Sequence, residues 1–572
     1  VPVPSTLFAY NLDKQLTQTT RPDGLLIGRT YDSAGKLDLL TTPTGNVDYD
    51  YFGLTPCPGC APGRLQRITD PSGVVLDHAY DGLLLKSLTW SGAVSGTVSF
   101  GHDASFRVTS ETVTVGANTS SVAFGLDNDD LLICASPSTC SPAGTDALKI
   151  TLNAGNGLVT GSTHGVVTDT LTYNVFGELA STTGRVGATN VFSEVVDTAA
   201  NPRDALGRIV QRVETNGGAS TTWRYTYDLR RRLVDVQKDG TLWEHYDYDA
   251  NGNRTLLTTP TGTTVGVYDA QDRLLSYGAT SFTYTANGEL RTKTDASGTT
   301  TYTYDVRGNL VQVDLPSGDV IQYLVDGQGR RVGKKKNGVL EKAWLYRNQL
   351  NPVAELDGSG ALVGRFVYGS KSNVPEYMVR GGVTYRVPSD HLGSPRALVD
   401  VASGAVAWRA DFDAWGNRTL IAGTSDFVPF GFAGGMFDWE TGLTRFGARD
   451  FDPRVGRWVS KDPVGLQGTG TNLFGYSLSD PVNRMDRTGR DPLDDLSNFF
   501  QENPTTCKIL VNVFTLACAY GCTGLLALPP PKGEIAFAAC VAACFAGGAF
   551  GLPACEPKPP KPEPKNACEQ PE

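Results

Sequence analysis

The cysteines of this chain are spaced so that several of them could form disulfides or bind a metal. Seven of the 11 cysteines lie after residue 500. Cys518 and Cys522 are four residues apart, as are Cys540 and Cys544, so on helices each pair would share one face. Two antiparallel helices with facing pairs could be joined by two disulfides. Such bonds would indicate an oxidising, extracytoplasmic destination.

Two further cysteine pairs lie upstream. Cys57 and Cys60 have the spacing of a redox or half-zinc motif, but no second such motif and no nearby His accompany them, so a local disulfide is the favoured interpretation. Cys134 and Cys140 bracket a short loop and are expected to staple it. The tail pairs lack the two-residue spacing of zinc ligands and no His follows His391, so we expect neither a metal nor a cofactor.

The tail after residue 490 has a second interpretation. Two uncharged apolar stretches, 509–528 and 535–552, are each about long enough to cross a hydrocarbon core as a helix. A Pro- and Gly-containing break at 529–534 separates them, so they could form a membrane-inserting helical hairpin. The Pro- and Lys-rich segment 557–565 predicts a polyproline II end.

Charge and histidine content narrow the possible functions. The net charge is -10 and 19% of residues are charged, which gives no basic footprint for nucleic acid. The lysine run 334–336 is interpreted as a solvated turn. Because no His follows His391, a His-dependent nuclease, a Cys–His protease and a His-based deaminase are all disfavoured in the tail; His391 itself is interpreted as structural.

The elements that position these residues come from a repeated phrase. It is clearest as YDANGNR at 248–254, with relatives at 31–37, 173–179 and 304–310. Several successive copies start about twenty residues apart, a period typical of repeat architectures whose units share one core. Function is therefore expected where the phrase stops.

The phrase predicts a β-hairpin. Asp-x-x-Gly and Asn-Gly are turn sequences, because Gly and Asn tolerate positive φ and Asp bonds its own backbone. Flanking segments such as 222–227 and 299–304 alternate aromatic with small polar or charged residues, which is strand patterning. With 65 glycines and almost no helical periodicity before residue 490, the chain is predicted to be mostly β, with hairpins forming a long curling sheet.

The region 371–490 departs from the simple repeat. Its ordered phrases are DHLGS at 390–394, FDAWGN at 412–417, DWETGLTRF at 438–446, RDFDP at 449–453, GRW at 456–458, DPVGL at 462–466, NLFGY at 472–476 and DPVN at 480–483. This ordered set resembles the core domain of rearrangement-hotspot (RHS) and YD-repeat proteins, and the upstream repeats match the same family.

The resemblance implies an architecture. Its members wind their repeats into a hollow β shell, which a core domain closes around a variable C-terminal segment that is commonly a toxin. We therefore expect a shell at 1–370, an RHS core at 371–490 and a Cys-rich helical tail at 491–572. The chain starts at Val1 without Met, so we expect a processed or truncated product whose N-terminal shell portion is missing.

The resemblance also implies self-cleavage by an aspartyl-protease arrangement with a nearby Arg. The matching residues are Asp462 and Asp486 with Arg449, and the cut would fall between Arg490 and Asp491. Two carboxylates that share a site divide into an acid and a base, and a guanidinium keeps the base ionised and can hold the scissile carbonyl.

A structural interpretation of the same residues stays open. Asp462 and Asp486 could cap turns, with Arg449 as an ion-pair partner. Arg487 replaces the usual Pro of the family phrase, and Arg490 stands where an aliphatic side chain is expected. A charge in an apolar pocket would cost several kcal/mol unless paired. That departure favours a tail that stays attached.

Two functions follow. In the first, the shell encloses and delivers its own C-terminal segment as an effector, with secretion machinery or a missing shell portion as partners and possible membrane contact through 509–552. In the second, the chain is a secreted or surface-anchored structural or adhesion protein that is not cleaved. Both place it outside the cytoplasm.

Overall fold

The computed structural model describes residues 5–53, 61–140, 146–467 and 470–490. Within these ranges the chain is almost entirely β-strand, and its helices are three single 3₁₀ turns at Phe432–Gly434, Gly465–Gln467 and Ser477–Ser479. The described part of the chain contains no helix that is long and apolar enough to span a membrane. The predicted mostly-β fold is confirmed, whereas the predicted helical tail lies outside the described residues.

The strands are numbered in chain order. The first nineteen are β1 Leu7–Tyr10, β2 Leu16–Thr20, β3 Leu26–Tyr31, β4 Leu37–Thr42, β5 Gly45–Tyr51, β6 Leu65–Thr69, β7 Val74–Asp81, β8 Leu84–Gly92, β9 Gly96–His102, β10 Val108–Val115, β11 Asn118–Leu126, β12 Leu132–Ser136, β13 Leu148–Leu152, β14 Val159–His164, β15 Val167–Tyr173, β16 Leu179–Val186, β17 Thr189–Val195, β18 Gln211–Asn216 and β19 Ala219–Tyr227.

The remaining strands continue to the end of the core. They are β20 Leu233–Lys238, β21 Thr241–Tyr248, β22 Arg254–Thr259, β23 Gly262–Tyr268, β24 Leu274–Tyr277, β25 Thr280–Tyr284, β26 Leu290–Asp295, β27 Gly298–Tyr304, β28 Leu310–Asp314, β29 Val320–Val325, β30 Arg331–Lys336, β31 Val339–Tyr346, β32 Pro352–Asp357, β33 Leu362–Val367, β34 Tyr377–Arg380, β35 Val383–Arg386, β36 Ala397–Asp400, β37 Val406–Phe412, β38 Arg418–Ala422, β39 Met436–Asp438, β40 Leu443–Phe446, β41 Arg449–Asp452 and β42 Arg457–Trp458.

One antiparallel sheet of 38 strands runs from β1 to β38. Each strand pairs with the next in sequence, as at β21 with β22 and β27 with β28. The sheet passes the expected boundary at residue 370 without a break, since β33 pairs with β34 across it. A second sheet of four strands, β39 to β42, follows.

The repeated phrase forms a capped turn and a link between hairpins. In the clearest copy, Asp249 Oδ1 accepts the backbone N–H groups of Asn251 and Asn253, both at 2.9 Å. Gly252 has φ +85°, which a residue with a Cβ adopts only at a cost. The hydroxyl of Tyr248 donates to the carbonyl of Leu233 at 2.7 Å, which ties this hairpin to the one before it.

That tyrosine link recurs along the sheet and explains why the phrase begins with Tyr. The ring lies at the rim of the core while its hydroxyl donates to a backbone carbonyl of the preceding hairpin. Further examples are Tyr31 to Leu16 at 2.7 Å, Tyr51 to Leu37 at 2.9 Å, Tyr173 to Val159 at 2.8 Å, Tyr227 to Ile209 at 2.7 Å, Tyr268 to Arg254 at 2.8 Å and Tyr346 to Arg331 at 2.7 Å.

The sheet curls so that its later strands contact its earlier ones. Ion pairs join residues separated by 237, 254 and 217 positions. They are Asp70 with Arg307 at 2.8 Å, Glu111 with Arg365 at 2.6 Å, and Asp169 with Arg386 at 2.8 Å. Both members of the pairs advance along the chain in the same order, so the second pass of the sheet runs alongside the first.

The four-stranded sheet packs around a cluster of aromatic rings. Phe451 and Tyr476 have ring centroids 4.4 Å apart, and Trp458 lies 5.4 Å from Tyr476 and 5.9 Å from Phe446. These rings belong to the same hydrophobic core as buried residues of the long sheet, such as Trp344. The region after β38 is thus packed against the repeats.

One expectation about the lysine run is wrong. Lys334 is 5% exposed, and its Nζ contacts Asp438 Oδ1 at 3.0 Å as well as Glu440. It is therefore a buried ion-pair partner of the core rather than part of a solvated turn. Lys336, in contrast, is partly exposed and pairs with Asp319 at 3.1 Å.

Candidate functional site

Three segments of the core meet at one point: the start of β41, the turn after β42, and the last described residues. The turn between β40 and β41 receives the final segment, because the Ala448 N–H donates to the Thr488 carbonyl at 2.8 Å. Gly489 has φ +64°, and a Cβ there would lie 2.3 Å from the Phe446 carbonyl oxygen. This close backbone approach requires glycine.

Arg449 joins the two predicted aspartates. Its Nη2 lies 2.9 Å from Asp462 Oδ2 and 3.0 Å from Asp486 Oδ2, so both carboxylates contact the same nitrogen. Nε donates to the Gly489 carbonyl at 2.6 Å, and Nη1 donates to the Leu473 carbonyl at 3.2 Å. The structure therefore brings together the three side chains that the sequence resemblance selects.

The two carboxylates differ in environment. Asp486 is 1% exposed, and burial raises the pKa of its carboxyl, an effect that the nearby Arg449 partly opposes. Its Oδ1 accepts the Thr488 hydroxyl at 3.1 Å and the Arg490 N–H at 3.2 Å. The Asp462 side chain is 13% exposed and accepts the Val464 N–H at 2.9 Å. The pair thus has one buried and one more accessible member.

A small cavity adjoins the pair. It has a volume of about 30 Å³ and its wall includes Arg449, Asp462, Asp486, Asn472 and Arg490. A water molecule needs roughly 10–15 Å³ of such space and two or more polar partners. The cavity can therefore hold one or two waters beside both carboxylates.

The side chain at position 490 is exposed, which corrects one expectation. Arg490 does not occupy a buried apolar pocket, so its charge carries no burial cost and does not count against cleavage. Arg487, at the position of the family's proline, donates to the hydroxyl of Ser372 at 2.8 Å and to its carbonyl at 2.9 Å. Asp491, the other side of the expected cut, lies outside the described residues.

Two contributors to this site were missed at the level of sequence. Trp458 carries the Arg449 guanidinium over its ring at 4.2 Å, and Thr488 donates to Asp486. Trp458 belongs to the GRW phrase, and Thr488 follows Asp486 by two residues. Both could be noticed in the sequence, but the sequence does not show that they contact Arg449 and Asp486.

The remaining predicted residues are placed as follows. Cys134 and Cys140 form the expected disulfide. The other predicted cysteines lie outside the described residues; they are Cys57, Cys60, Cys518, Cys522, Cys540 and Cys544. Within the described ranges, no group of three or more His, Cys, Asp or Glu side chains is arranged to hold a metal ion. The His391 side chain is 9% exposed and lies between Glu194 and the Val482 carbonyl, at 2.9 and 2.7 Å.

A tyrosine-linked hairpin sheet with an ordered core of this kind defines a YD-repeat protein of the RHS type. The chain belongs to the Teneurin YD-shell family, because the model of that family matches residues 3–482.

Curated relatives include toxins. Teneurin-3 of Danio rerio is 26% identical over 296 residues, which cover 49% of this chain and 11% of that protein. Double-stranded DNA deaminase toxin A of Burkholderia cenocepacia is 27% identical over 583 aligned positions, which cover 84% of this chain and 37% of the toxin. The chain therefore spans well under half of the length of either relative.

A solved structure shows the same fold. The Tc holotoxin pore of Photorhabdus luminescens superposes with a TM-score of 0.69 at 17% identity, and the match covers 85% of this chain and 27% of the other. At this identity the likeness supports the fold alone. The YD-repeat β sheet is thus shared by this chain and part of a toxin assembly.

Proposed function

We propose that this chain is a YD shell that encloses its C-terminal segment, residues 491–572, and delivers it as an effector after cutting itself at the end of the core. The repeats to about residue 370 form the wall and residues 371–490 form the closing core. The observation that carries the proposal is the contact of Arg449 with both Asp462 and Asp486 beside the last core residues. The family and the toxin relatives support the same role.

The environments of the two aspartates assign their roles. Asp486 is the acid, because burial raises its pKa and favours the protonated form. Asp462 is the base, because it is the more exposed of the two carboxylates that line the cavity. It removes a proton from water as the oxygen attacks the carbonyl carbon of Arg490. Asp486 gives its proton to the amine of Asp491 as the peptide bond breaks.

Arg449 and its surroundings hold the segment that would be cut, residues 486–490. The bond from Nε to the Gly489 carbonyl and that from the Arg490 N–H to Asp486 fix the backbone one residue before the cut. Such fixed positioning of a bond against its catalytic groups is a large part of what an active site supplies. Since the segment to be cut is part of the same chain as the two aspartates, no binding step precedes the reaction.

The second candidate is an uncleaved structural or adhesion protein. The backbone N–H bonds from Val464 to Asp462 and from Arg490 to Asp486 favour it, because they are ordinary turn caps. In this case Arg449 would be a purely structural ion-pair partner and the tail an anchor.

An extracytoplasmic location fits both candidates. The disulfide between Cys134 and Cys140 is typical of proteins that fold in oxidising compartments. For the effector role, the partners are the tail itself as cargo, secretion machinery or a further shell portion, and a membrane that the segment 509–552 contacts.

The test is the intact mass of the purified chain under denaturing conditions. We expect the wild type to give a fragment that ends at Arg490 and a second that starts at Asp491, and the Asp462→Asn and Asp486→Asn variants to stay whole. A single full-length mass for all three proteins would favour the structural candidate. Limited proteolysis of the native protein tests whether residues 491–572 are enclosed. An enclosed tail resists protease, whereas an exposed anchor is cut rapidly.

A further inference from the structure

A second group of charged residues lies apart from the two aspartates, in a cavity of about 40 Å³ between the long sheet and the core. Arg331 from β30 and Arg445 from β40 line it, and each is 5% exposed. Arg487 and the turn glycines Gly434 and Gly447 complete part of the wall. Four of the lining residues are arginines and none is acidic, while about half of the lining is apolar.

Two guanidinium groups at this cavity contact the same carboxylate, that of Asp450. Asp450 Oδ1 accepts Arg331 Nη2 at 2.9 Å, while its Oδ2 accepts Arg445 Nη1 at 2.9 Å. One carboxylate thus serves two guanidinium groups. Burial and the neighbouring Arg331 lower the pKa of the Arg445 guanidinium although Asp450 is in contact with it, whereas Asp450, Tyr323 and Asp438 outweigh burial and raise the pKa of Arg331.

The neighbouring carboxylates are already engaged. Asp326 binds Arg330, which also lines the cavity, through two bonds at 2.8 and 2.7 Å. Asp438 accepts Lys334 at 3.0 Å and the Tyr323 hydroxyl at 2.7 Å. Neither carboxylate is within ion-pair distance of Arg331 or Arg445, so among the described residues Asp450 is the one carboxylate that contacts both guanidinium groups.

Two buried donors also lack partners. The Nε–H groups of Arg331 and Arg445 are buried and donate to no acceptor among the described residues. A buried donor without an acceptor is unfavourable. Both donors would be satisfied by one ligand, an anion that accepts from the arginines.

We propose that this cavity, lined by Arg331 and Arg445, binds one small anion of the size of chloride or a carboxylate group. A volume of about 40 Å³ corresponds to roughly three waters and excludes a large organic anion. Because Arg331 lies on the long sheet and Arg445 on the four-stranded sheet, the anion ties the core to the repeats. It is also near the candidate cleavage site, since Gly447 precedes Ala448, which holds the Thr488 carbonyl.

The experiment compares thermal unfolding of the full chain in sodium chloride, sodium acetate and sodium gluconate at equal ionic strength. Gluconate is the reference because it is too large for the cavity. We expect chloride and acetate to raise the Tm by a few degrees over gluconate, with a shift that saturates as the anion concentration rises.

Two matched variants separate this site from general salt effects. Arg445→Gln restores one carboxylate to one guanidinium and is expected to lose the chloride-dependent shift. Arg232→Gln removes an arginine that pairs with Asp228 at 2.7 Å in a repeat turn, and is expected to keep it. Equal shifts in both variants, or no shift in the wild type, would overturn the proposal.

Crystals of the wild type soaked in bromide give an independent readout if Arg445→Gln does not fold. We expect an anomalous peak within hydrogen-bond distance of Nε of Arg331 and Arg445. An empty cavity at high bromide concentration would contradict the proposal.

Discussion

The same local sequence, Asp-x-x-x-Arg, builds a turn in the repeats and a turn at the end of the core, but the two aspartates have different partners. In the repeat, Asp228 Oδ1 accepts the Arg232 N–H at 2.9 Å and Oδ2 accepts Nε of the same arginine at 2.7 Å. In the core, Asp486 Oδ1 accepts the Arg490 N–H at 3.2 Å, whereas Oδ2 contacts the distant Arg449.

The difference shows how a structural turn can become a site. The cap through Oδ1 is retained, so the backbone is specified locally in both places. In the core, the second oxygen is given to an arginine that also contacts Asp462, and the i+4 arginine is left exposed. A repeat turn that satisfies itself is thereby replaced by one that depends on three separate segments.

The largest expected effect comes from removing that shared arginine. Arg449→Met removes the guanidinium that contacts both carboxylates and leaves the ionised Asp462 without its ion-pair partner, and we expect it to lower the free energy of unfolding by about 3 kcal/mol and to abolish cleavage. Arg232→Met is the control, because the Arg232 side chain is more exposed than that of Arg449, 15% against 3%, and it should cost less, about 1–2 kcal/mol. Urea unfolding of the two variants measures both; equal losses would mean that the core pair is no more coupled than a repeat pair.

Next is the ion pair of His391 with Glu194, which joins the core to β17. Both ring nitrogens of His391 face acceptors, so the imidazole must be protonated. Burial alone would lower the pKa of His391, but Glu194 and Asp390 outweigh burial and Arg212 and raise it above 6.5. The pKa of Glu194 is lowered to about 2, because His391 and Arg212 outweigh its burial.

The sign of the pH dependence follows. The stabilisation of the fold by protonated His391 is complete below pH 6.5 and is lost as the pH rises through the raised pKa of the folded state. The stabilisation by ionised Glu194 is complete above pH 4.5 and is lost as the pH falls toward 2. We expect His391→Gln to cost roughly 3 kcal/mol at pH 6 and less at pH 9. Urea midpoints across this range check it; a difference that is constant with pH would show that His391 is not charged.

A smaller effect distinguishes the glycines of the two turns. Gly252→Ala in the repeat meets no atom within 4 Å, so we expect only the cost of positive φ, about 1–2 kcal/mol. Gly489→Ala adds a clash with the Phe446 carbonyl and should cost more, while slowing cleavage by displacing Arg449. Thermal unfolding ranks the variants; the reverse order would show that the core segment has room to move.

The smallest expected effect concerns the tyrosine link. Tyr248→Phe keeps the ring and removes only the hydroxyl that donates to the Leu233 carbonyl, so we expect a loss of about 1 kcal/mol. Hydrogen exchange should then rise at the turn of residues 248–254 and not at the core. An unchanged stability would mean that the link is replaced by water.

The repeats could be predicted from sequence because their information is local. Asp249, Gly252 and Tyr248 act within one hairpin or on the hairpin before it, so a pattern of a few residues predicts the turn. The burial of Lys334 and the pairing of Asp70 with Arg307 could not be predicted, because they depend on which strands meet after the sheet has curled.

The site shows the same division. The family resemblance selects Asp462, Asp486 and Arg449. Their spacing in the sequence alone does not predict that the three side chains are in contact. The exposure of Arg490 was wrongly anticipated, because the expected apolar pocket was inferred from another residue type at that position. The exposure of Arg490 becomes visible only in the folded structure, where the last core residues lie beside the turn that precedes Arg449.

The most direct test compares one aspartate from each region by intact mass. Asp357 caps a repeat turn through N–H bonds from Ser359 and Ala361 at 2.9 and 3.0 Å, so Asp357→Asn is matched in chemistry to Asp486→Asn. We predict that Asp357→Asn yields the same two fragments as the wild type, whereas Asp486→Asn yields one full-length mass. Fragments from Asp486→Asn that match those of the wild type would contradict the claim that this turn has become a catalytic site.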